Sequence, residues 1–428
     1  MKTNTHRFLG VTLVFAVVFV ALGTTAEAIP PFARKYQTSC TTCHLAIQQR
    51  NAFGEAFRRN GYKMPEGEDE LVKREKVSLG APAWKEEWPK AVWPSDIPFT
   101  VPFGAYIHQR LVYDPSKDDN FSFDAPHEFE LLTGGSFGKD ISFYGSWVFF
   151  EKDKNAVGLK QMYIQFEDLA GPENALNVKM GRMEPAITWG YRDSNRMTLE
   201  HNPLWDIRVL TQGSKWRIRD QQSGVEVNGI FKHRFEYAVG VVNGDSRTTI
   251  FKPLDTYWRL GYKFGGMGLD GLGGQFNELQ QINNWRDDSF TLGVFGYSGT
   301  NSWELFTDEG VPYENDFDRL GVDLQWGHKR LLLRGGFVDG TDDNPDGDGV
   351  EVDSDGWFGE ADYVFRPWLY GVARYGETTV REVGKEIVTL ALVGLVRANI
   401  RLSIEALVEP GRDTDELRWI KINFLYGL

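Results

Sequence analysis

From about residue 99 the chain alternates between apolar and polar positions. Ile141, Phe143, Gly145, Trp147 and Phe149 share one parity, and Val388, Leu390 and Leu392 repeat the pattern further on. A period of two, closed by Gly, Asn and Asp, predicts antiparallel strands with one apolar face. Sixteen segments fit, at 100–113, 127–137, 140–151, 157–168, 175–184, 222–231, 233–242, 254–263, 288–298, 317–328, 330–340, 354–365, 368–377, 385–396, 399–409 and 415–428. Short connections near 138–140, 171–172, 232–233, 329, 366–367 and 397–398 alternate with longer polar ones. Short turns on one side and long loops on the other are the arrangement of a membrane barrel. Counting from both ends puts residues 264–287 on the short-turn side, where so long a connection is anomalous. An extra hairpin through 271–279 would raise the count to eighteen.

The end of the chain strengthens the barrel reading. Ile420, Ile422, Phe424, Tyr426 and Leu428 lie on one face, with Lys421 and Asn423 on the other. Such a last strand is what the barrel-insertion machinery of an outer membrane reads, with Leu here in place of the usual Phe. The edge strand of a soluble β-sandwich is the alternative. The expected fold is thus mainly β, a transmembrane antiparallel β-barrel of about 16 strands over residues 99–428.

The beginning follows different rules. Residues 1–28 carry Lys2 and Arg7, an apolar run from about Leu9 to Gly23, and Ala26-Glu27-Ala28. A basic start, a short apolar core and a small-x-small site predict a secretory signal peptide. No later apolar run reaches the ~18 residues of a membrane helix. Residues 29–65 form one unit, with Phe53 and Phe57 one helical turn apart and Asn60-Gly61 as a stop signal, so a short helix is expected from about Cys43 to Arg59. In residues 66–98, Trp84, Trp88 and Trp93 alternate with Pro82, Pro89, Pro94 and Pro98, which reads as a linker leading to the membrane interface.

Composition and charge narrow the classes. The formal charge is −13 over 428 residues, and loses one more positive unit with the signal peptide, so nucleic acid is not an expected partner. With 46 Gly, 14 Trp, 16 Tyr and 29 Phe, the chain suits strands, tight turns and aromatic girdles at lipid boundaries.

The chemistry centres on Cys40-Thr41-Thr42-Cys43-His44, which holds the only two Cys of the chain. In a C-x-x-C-H run two thiols add to the vinyl groups of haem and the His binds iron. A dithiol redox motif needs a β-α-β context, and a zinc site needs further Cys or His; neither pattern surrounds this pair. The expected cofactor is therefore one covalent haem c on Cys40, Cys43 and His44, making residues 29–65 a small α-helical cytochrome unit. Chains below ~40 residues rarely fold unaided, so the unit is expected to lean on the rest of the protein.

Met64 is the one Met within residues 29–90, which contain no second His, and is the expected second axial ligand. Met ligation raises the haem potential. His108 and His127 are more remote choices, and a five-coordinate iron is another. Between 184 and 221 a long loop with Arg192, Arg196, Arg208, Arg217 and Arg219 is expected either to fold inward as a pore rim or to lie on the surface. The acidic turn from Asp342 through Asn344 and Asp346 to Asp353 resembles half of a calcium loop, without the Glu at the twelfth position. A Ca²⁺ site, a collector for Fe²⁺ and a solvated loop are its three readings.

Pro31-Phe32-Ala33-Arg34-Lys35-Tyr36, Ser39-Cys40, Cys43-His44, Asn51, Phe53-Gly54, Phe57-Arg58 and Asn60-Gly61-Tyr62 together resemble the fused cytochrome–porin family of outer-membrane iron oxidases. Gln48 and Arg50 depart from the Pro and apolar residue common there. The resemblance implies a haem unit in or at the barrel, oxidation of extracellular Fe(II), and a periplasmic c-type cytochrome as electron acceptor, with outer-membrane lipid around the wall. An electron conduit for another donor or in the reverse direction, and a solute porin with a haem plug, are the alternatives.

Overall fold

The computed structural model describes residues 31–36, 38–46, 49–65, 77–78, 96–97, 103–137, 140–151, 158–187, 199, 204, 207, 216–218, 220–244, 253–272, 285–303, 313–411 and 416–427. Two helices, α1 (Pro31–Tyr36) and α2 (Ala52–Arg59), flank a 3-10 turn at Cys40–Thr42. Two short strands, β1 (Val77–Ser78) and β2 (Asp96–Ile97), pair with each other. The barrel then runs through β3 (Phe103–Tyr113), β4 (Phe121–Phe137), β5 (Ile141–Glu151), β6 (Gly158–Phe166), β7 (Asn177–Met183), β8 (Gln222–Phe231), β9 (Phe235–Val242) and β10 (Asp255–Gly265). Its second half is β11 (Ser289–Trp303), β12 (Tyr313–His328), β13 (Leu331–Asp342), β14 (Val352–Arg366), β15 (Leu369–Val380), β16 (Val383–Arg397), β17 (Ile400–Val408) and β18 (Leu417–Gly427).

All sixteen expected segments correspond one to one with these barrel strands. Every neighbour pairs antiparallel, and β18 closes on β3 with Gly427 opposite Tyr106 and Ile420 opposite Tyr113. Because β10 pairs directly with β11, the barrel closes at sixteen strands and not eighteen; residues 273–279 of the envisaged hairpin lie outside the described ones. The signal-peptide residues, the linker Trp residues and Arg192, Arg196, Arg208 and Arg219 also lie outside them.

The wall is a globular protein turned inside out. Along β10, Trp258, Leu260, Tyr262 and Phe264 face outward and exposed, while Tyr257, Arg259 and Lys263 are buried inside. Along β12, Leu320, Val322, Leu324 and Trp326 are outside, with Phe317, Arg319 and Asp323 inside. Outward aromatics cluster at the two ends, Trp258 and Trp357 towards the long loops and Phe264 and Phe365 towards the short turns, with Leu260, Leu292 and Leu390 between. An apolar band flanked by aromatic girdles is the face a barrel turns to lipid.

Inside, charges are paired because an unpaired charge away from water costs several kcal/mol. Arg259 grips Asp323 through two bonds of 2.5 and 2.9 Å and reaches Glu236 at 3.2 Å. Arg334 meets Glu360 at 2.6 Å and Asp362 at 2.9 Å.

The long loop between β7 and β8 folds inward. Its residues Ile187, Leu199, Leu204, Ile207, Trp216 and Ile218 are all at most 5% exposed. Leu204 rests over Gly336 and Ile207 over Gly356 across the lumen. The described part of the loop folds inward and fills the lumen with apolar side chains, while four of the five Arg of the expected rim lie outside the described residues.

Replacing Arg259 by Ala strands Asp323 inside the wall, at an expected cost of about 3–5 kcal/mol. The temperature at which the barrel loses its compact gel mobility should fall accordingly. Arg286→Ala, which removes the exposed pair with Asp288, should leave that temperature nearly unchanged.

Candidate functional site

Residues 31–65 fold inside the short-turn end of the barrel. The helix of this unit is shorter than the sequence suggests: α2 begins at Ala52, because the Asn51 side chain caps it by accepting from the Gly54 N–H at 2.8 Å. His44 and Arg50 form a bridge where a continuous helix from Cys43 was expected. Asn51 also donates to the Thr42 carbonyl at 2.9 Å, tying the helix start to the Cys turn. A Cβ on Gly54 would stand 2.0 Å from the Cys43 carbonyl oxygen, so only glycine lets α2 lie this close to the motif.

The unit is seated by the wall. Asn60 donates to the Asp270 carbonyl at 2.7 Å and accepts from Asn174 at 2.8 Å. Arg59 meets Glu236 at 2.9 Å, Lys63 pairs with Glu167, and Gln49 donates to Asp362 at 3.3 Å. Asp270 belongs to the long connection after β10. That connection turns back under the unit, where Gly271, at φ 84°, packs against Pro65 and Ala56. The anomalous length on the short-turn side thus supplies a strap beneath the unit.

Between unit and wall lies a cavity of about 200 Å³, partly open to solvent. Cys40, Cys43, His44 and Met64 all line it, together with Phe57, Tyr62, Tyr106, Tyr144 and the backbone of the β17–β18 end at Gly427. Phe32 stacks on Tyr62 at 5.1 Å, and Tyr62 stacks on Tyr144 of β5 at 5.2 Å. Met64 is 3% exposed and belongs to the same apolar cluster as Tyr36, Phe57 and Tyr62.

The environment decides the state of each group. Burial, helped by the Arg50 charge, pushes the His44 imidazole down to about 4. It is therefore neutral near pH 7, with a ring nitrogen lone pair of the kind that ligates metals. Burial, with Cys40 adding to it, pushes the Cys43 thiol up to about 12, and burial also raises Cys40. A dithiol oxidoreductase needs a lowered thiol pKa, so the pair does not suit that chemistry. Space, soft and neutral donors and aromatic walls fit a haem held through Cys40, Cys43, His44 and Met64.

His108 and His127 do not line the cavity. His108 bonds Asn423 at 3.1 Å, and His127 pairs with Asp124 at 2.8 Å. The acidic turn is not gathered as a ligand sphere either. Asp342 is fully buried and paired with Arg319 at 2.6 Å, Asn344 accepts from the Gly349 N–H, Asp346 pairs with Arg381, and Asp353 accepts from Thr341. Among the described residues no three His, Cys, Asp or Glu side chains form a metal cluster. Sequence reasoning missed Tyr62 and Tyr144 as cavity walls, Tyr163 behind them as the hydroxyl partner of Tyr62, and Asn60 as the seat. The signal lay in Tyr144 and Tyr163 falling at lumen-facing strand positions, where polar residues are the rule.

A closed sixteen-stranded wall, short turns at one end and an inward long loop define the porin-type barrel fold. Solved structures with this fold include an anion-selective porin from Comamonas acidovorans, at TM-score 0.55 and 12% identity over 76% of this chain and 98% of that one. The outer-membrane channel DcaP of Acinetobacter baumannii follows at TM-score 0.50 and 10% identity, over 76% and 96%. OmpF of Salmonella typhi, solved with daunomycin, matches at TM-score 0.50 and 8% identity, over 77% and 98%. No family model matches the chain, and no curated protein does.

With nothing attached to Cys40 and Cys43, Cys43 should react with iodoacetamide at pH 8 on the order of 10³-fold more slowly than an unhindered thiol, because its thiolate is that much scarcer. Peptide mass spectrometry over time checks this, and denaturation should abolish the difference.

Proposed function

We propose that the chain is an outer-membrane electron-transfer protein that oxidises extracellular Fe(II) and passes the electron to a periplasmic c-type cytochrome. Cys40 and Cys43 would hold one haem c covalently, and His44 and Met64 would supply its iron with an imidazole nitrogen and a thioether sulfur. The observation that carries this reading is the single cavity that gathers these four residues inside the barrel. When bound, haem supplies a reversible one-electron couple. His44 offers a neutral imidazole, and the Met64 thioether favours the reduced iron, which is what an acceptor for ferrous electrons requires. Phe57, Tyr62 and Tyr144 keep bulk water away and hold the unit against β5.

The short-turn end, with the cytochrome unit, faces the periplasm, and the long loops face outward, as in barrels of this type. Ferric iron precipitates at neutral pH, so importing only the electron leaves the solid outside. The hydrocarbon core is ~30 Å thick, too far for an unaided electron, and a redox group set within the wall shortens the gap.

Solute transport is the second reading, favoured by the porin-type barrel. The inward apolar loop opposes it. In planar bilayers the protein should show little steady conductance, whereas the paired change Leu204→Gly and Ile207→Gly should open a measurable one.

Anaerobic Fe²⁺ added to purified holoprotein should bring up the bands of reduced haem; their absence in a protein that holds one c-type haem would remove iron as the donor. Met64→Ala should lower the midpoint potential on the order of 0.1 V, inside the ~0.8 V that axial ligands span. An unchanged spectrum and potential would remove Met64 from the iron, and a strongly negative wild-type potential would favour flow in the other direction.

A further inference from the structure

At the short-turn end the outer face of the wall carries arginine where lipid is expected. β14 and β16 each end in a bulge just before a short turn: Phe365 and Arg366 together oppose Leu369, and Val396 and Arg397 together oppose Ile400. The extra residue breaks the inward–outward alternation, so each Arg follows its predecessor onto one side of the sheet. That side is the outer one. The ladder pairs just before the bulges, Val364 with Tyr370 and Leu395 with Arg401, are buried on the inner side.

The bulges also decide where the guanidiniums rest. An extra residue leaves its backbone groups outside the ladder. Arg366 Nη1 donates to the Phe365 carbonyl at 3.0 Å, and Arg330 Nη1, from the β12–β13 turn, donates to the same oxygen at 3.3 Å. Arg397 repeats the device, donating to the Val396 carbonyl at 2.8 Å. Two cations gathered on one acceptor repel each other, and an anion between them relieves the repulsion.

The surroundings select that anion. The turns at 328–330, 366–368 and 397–399 contain Lys329, Arg330, Arg366 and Arg397 and no carboxylate. Asp288, which reaches this side from the start of β11, is paired with Arg286 at 2.7 Å and accepts from the Lys329 N–H. Tyr363, Phe365 and Trp368 are 45%, 43% and 47% exposed, and Tyr363 meets Phe365 edge-on at 5.2 Å. Such a girdle marks the depth of the lipid headgroups, where a charge on the lipid face is tolerated. A guanidinium fork matches the oxygens of a phosphate there.

We propose that Arg330 and Arg366 form a binding site for the phosphate of a phospholipid in the leaflet at the short-turn end. Arg397 holds a second phosphate two strand spacings, ~10 Å, along the rim. The acyl chains run along the wall past Phe365 and Tyr363. Neither haem nor iron enters this site, so it stands apart from the function proposed above.

The test is native mass spectrometry of the full chain, released from detergent micelles titrated with dioleoyl phosphatidylglycerol or with dioleoylglycerol, which has the same chains and no phosphate. The wild type should hold phosphatidylglycerol about tenfold more tightly, as charge-assisted bonds to phosphate require. Arg330→Gln/Arg366→Gln should lose most of that preference, and adding Arg397→Gln should remove the rest, with heat-modifiable mobility unchanged. Arg286→Gln, at the same end of the barrel, should bind as the wild type does. Inorganic phosphate in large excess should displace little of the lipid, because the free ion has no chains to lay beside Phe365. Equal phosphatidylglycerol binding by wild type and triple variant would overturn the site, and full displacement by inorganic phosphate would overturn the lipid as its occupant.

Discussion

The structure depends on the seat that fixes residues 31–65 inside the barrel. A segment this short cannot bury a core of its own, and α2 has only eight residues. Asn60 closes the helix and at once bonds two separate parts of the wall, Asn174 and the Asp270 carbonyl. Arg59 and Lys63 add ion pairs with Glu236 and Glu167 on either side of it. These bonds are buried, so removing one partner leaves the other unsatisfied, at about 1–3 kcal/mol or more for a charged group. The barrel is therefore the missing half of the small unit's core, and the unit is part of the barrel's filling.

The same principle orders the rest of the lumen. A barrel wall presents polar groups inward, and these must pair or meet water. Near the seat and along β10 to β15 they pair, through Arg259, Arg334 and their carboxylates. Elsewhere the inward loop replaces water with Leu204, Ile207 and Trp216, which join Phe57 and Met64 of the N-terminal unit in one continuous apolar cluster. An apolar interior of this kind opposes the passage of hydrated ions.

The architecture was legible in the sequence because strand parity is a local signal: each inward residue must have outward neighbours, and sixteen segments announced themselves independently. The Cys40 to His44 run was legible as a motif for a similar reason, since its residues are adjacent, and Cys40, Cys43 and His44 line one cavity. What stayed hidden depends on contacts distant in sequence. The helix was read too long because the Phe53 and Phe57 spacing sets its face but not its start, which the cap at Asn51 fixes through contacts with Gly54 and Thr42. Asp342 looked like a free loop carboxylate until Arg319, 23 positions away, was found beside it. The strap at Asp270 looked like a misplaced loop, because its purpose lies at Asn60, 210 positions earlier.

Gly54, Asn60 and Tyr62 now have physical reasons within the motif that first drew attention: close approach, seating and stacking. The central claim is that this chain moves electrons across the barrel by way of the unit held at that seat. It is tested most directly in liposomes that enclose ferricyanide and carry the holoprotein in their membrane. Chelated, membrane-impermeant Fe(II) added outside should bleach the enclosed ferricyanide with the wild-type chain and leave it unchanged with Cys40→Ala/Cys43→Ala. Equal bleaching by both proteins, or none by a wild-type chain that carries its haem, would contradict the account.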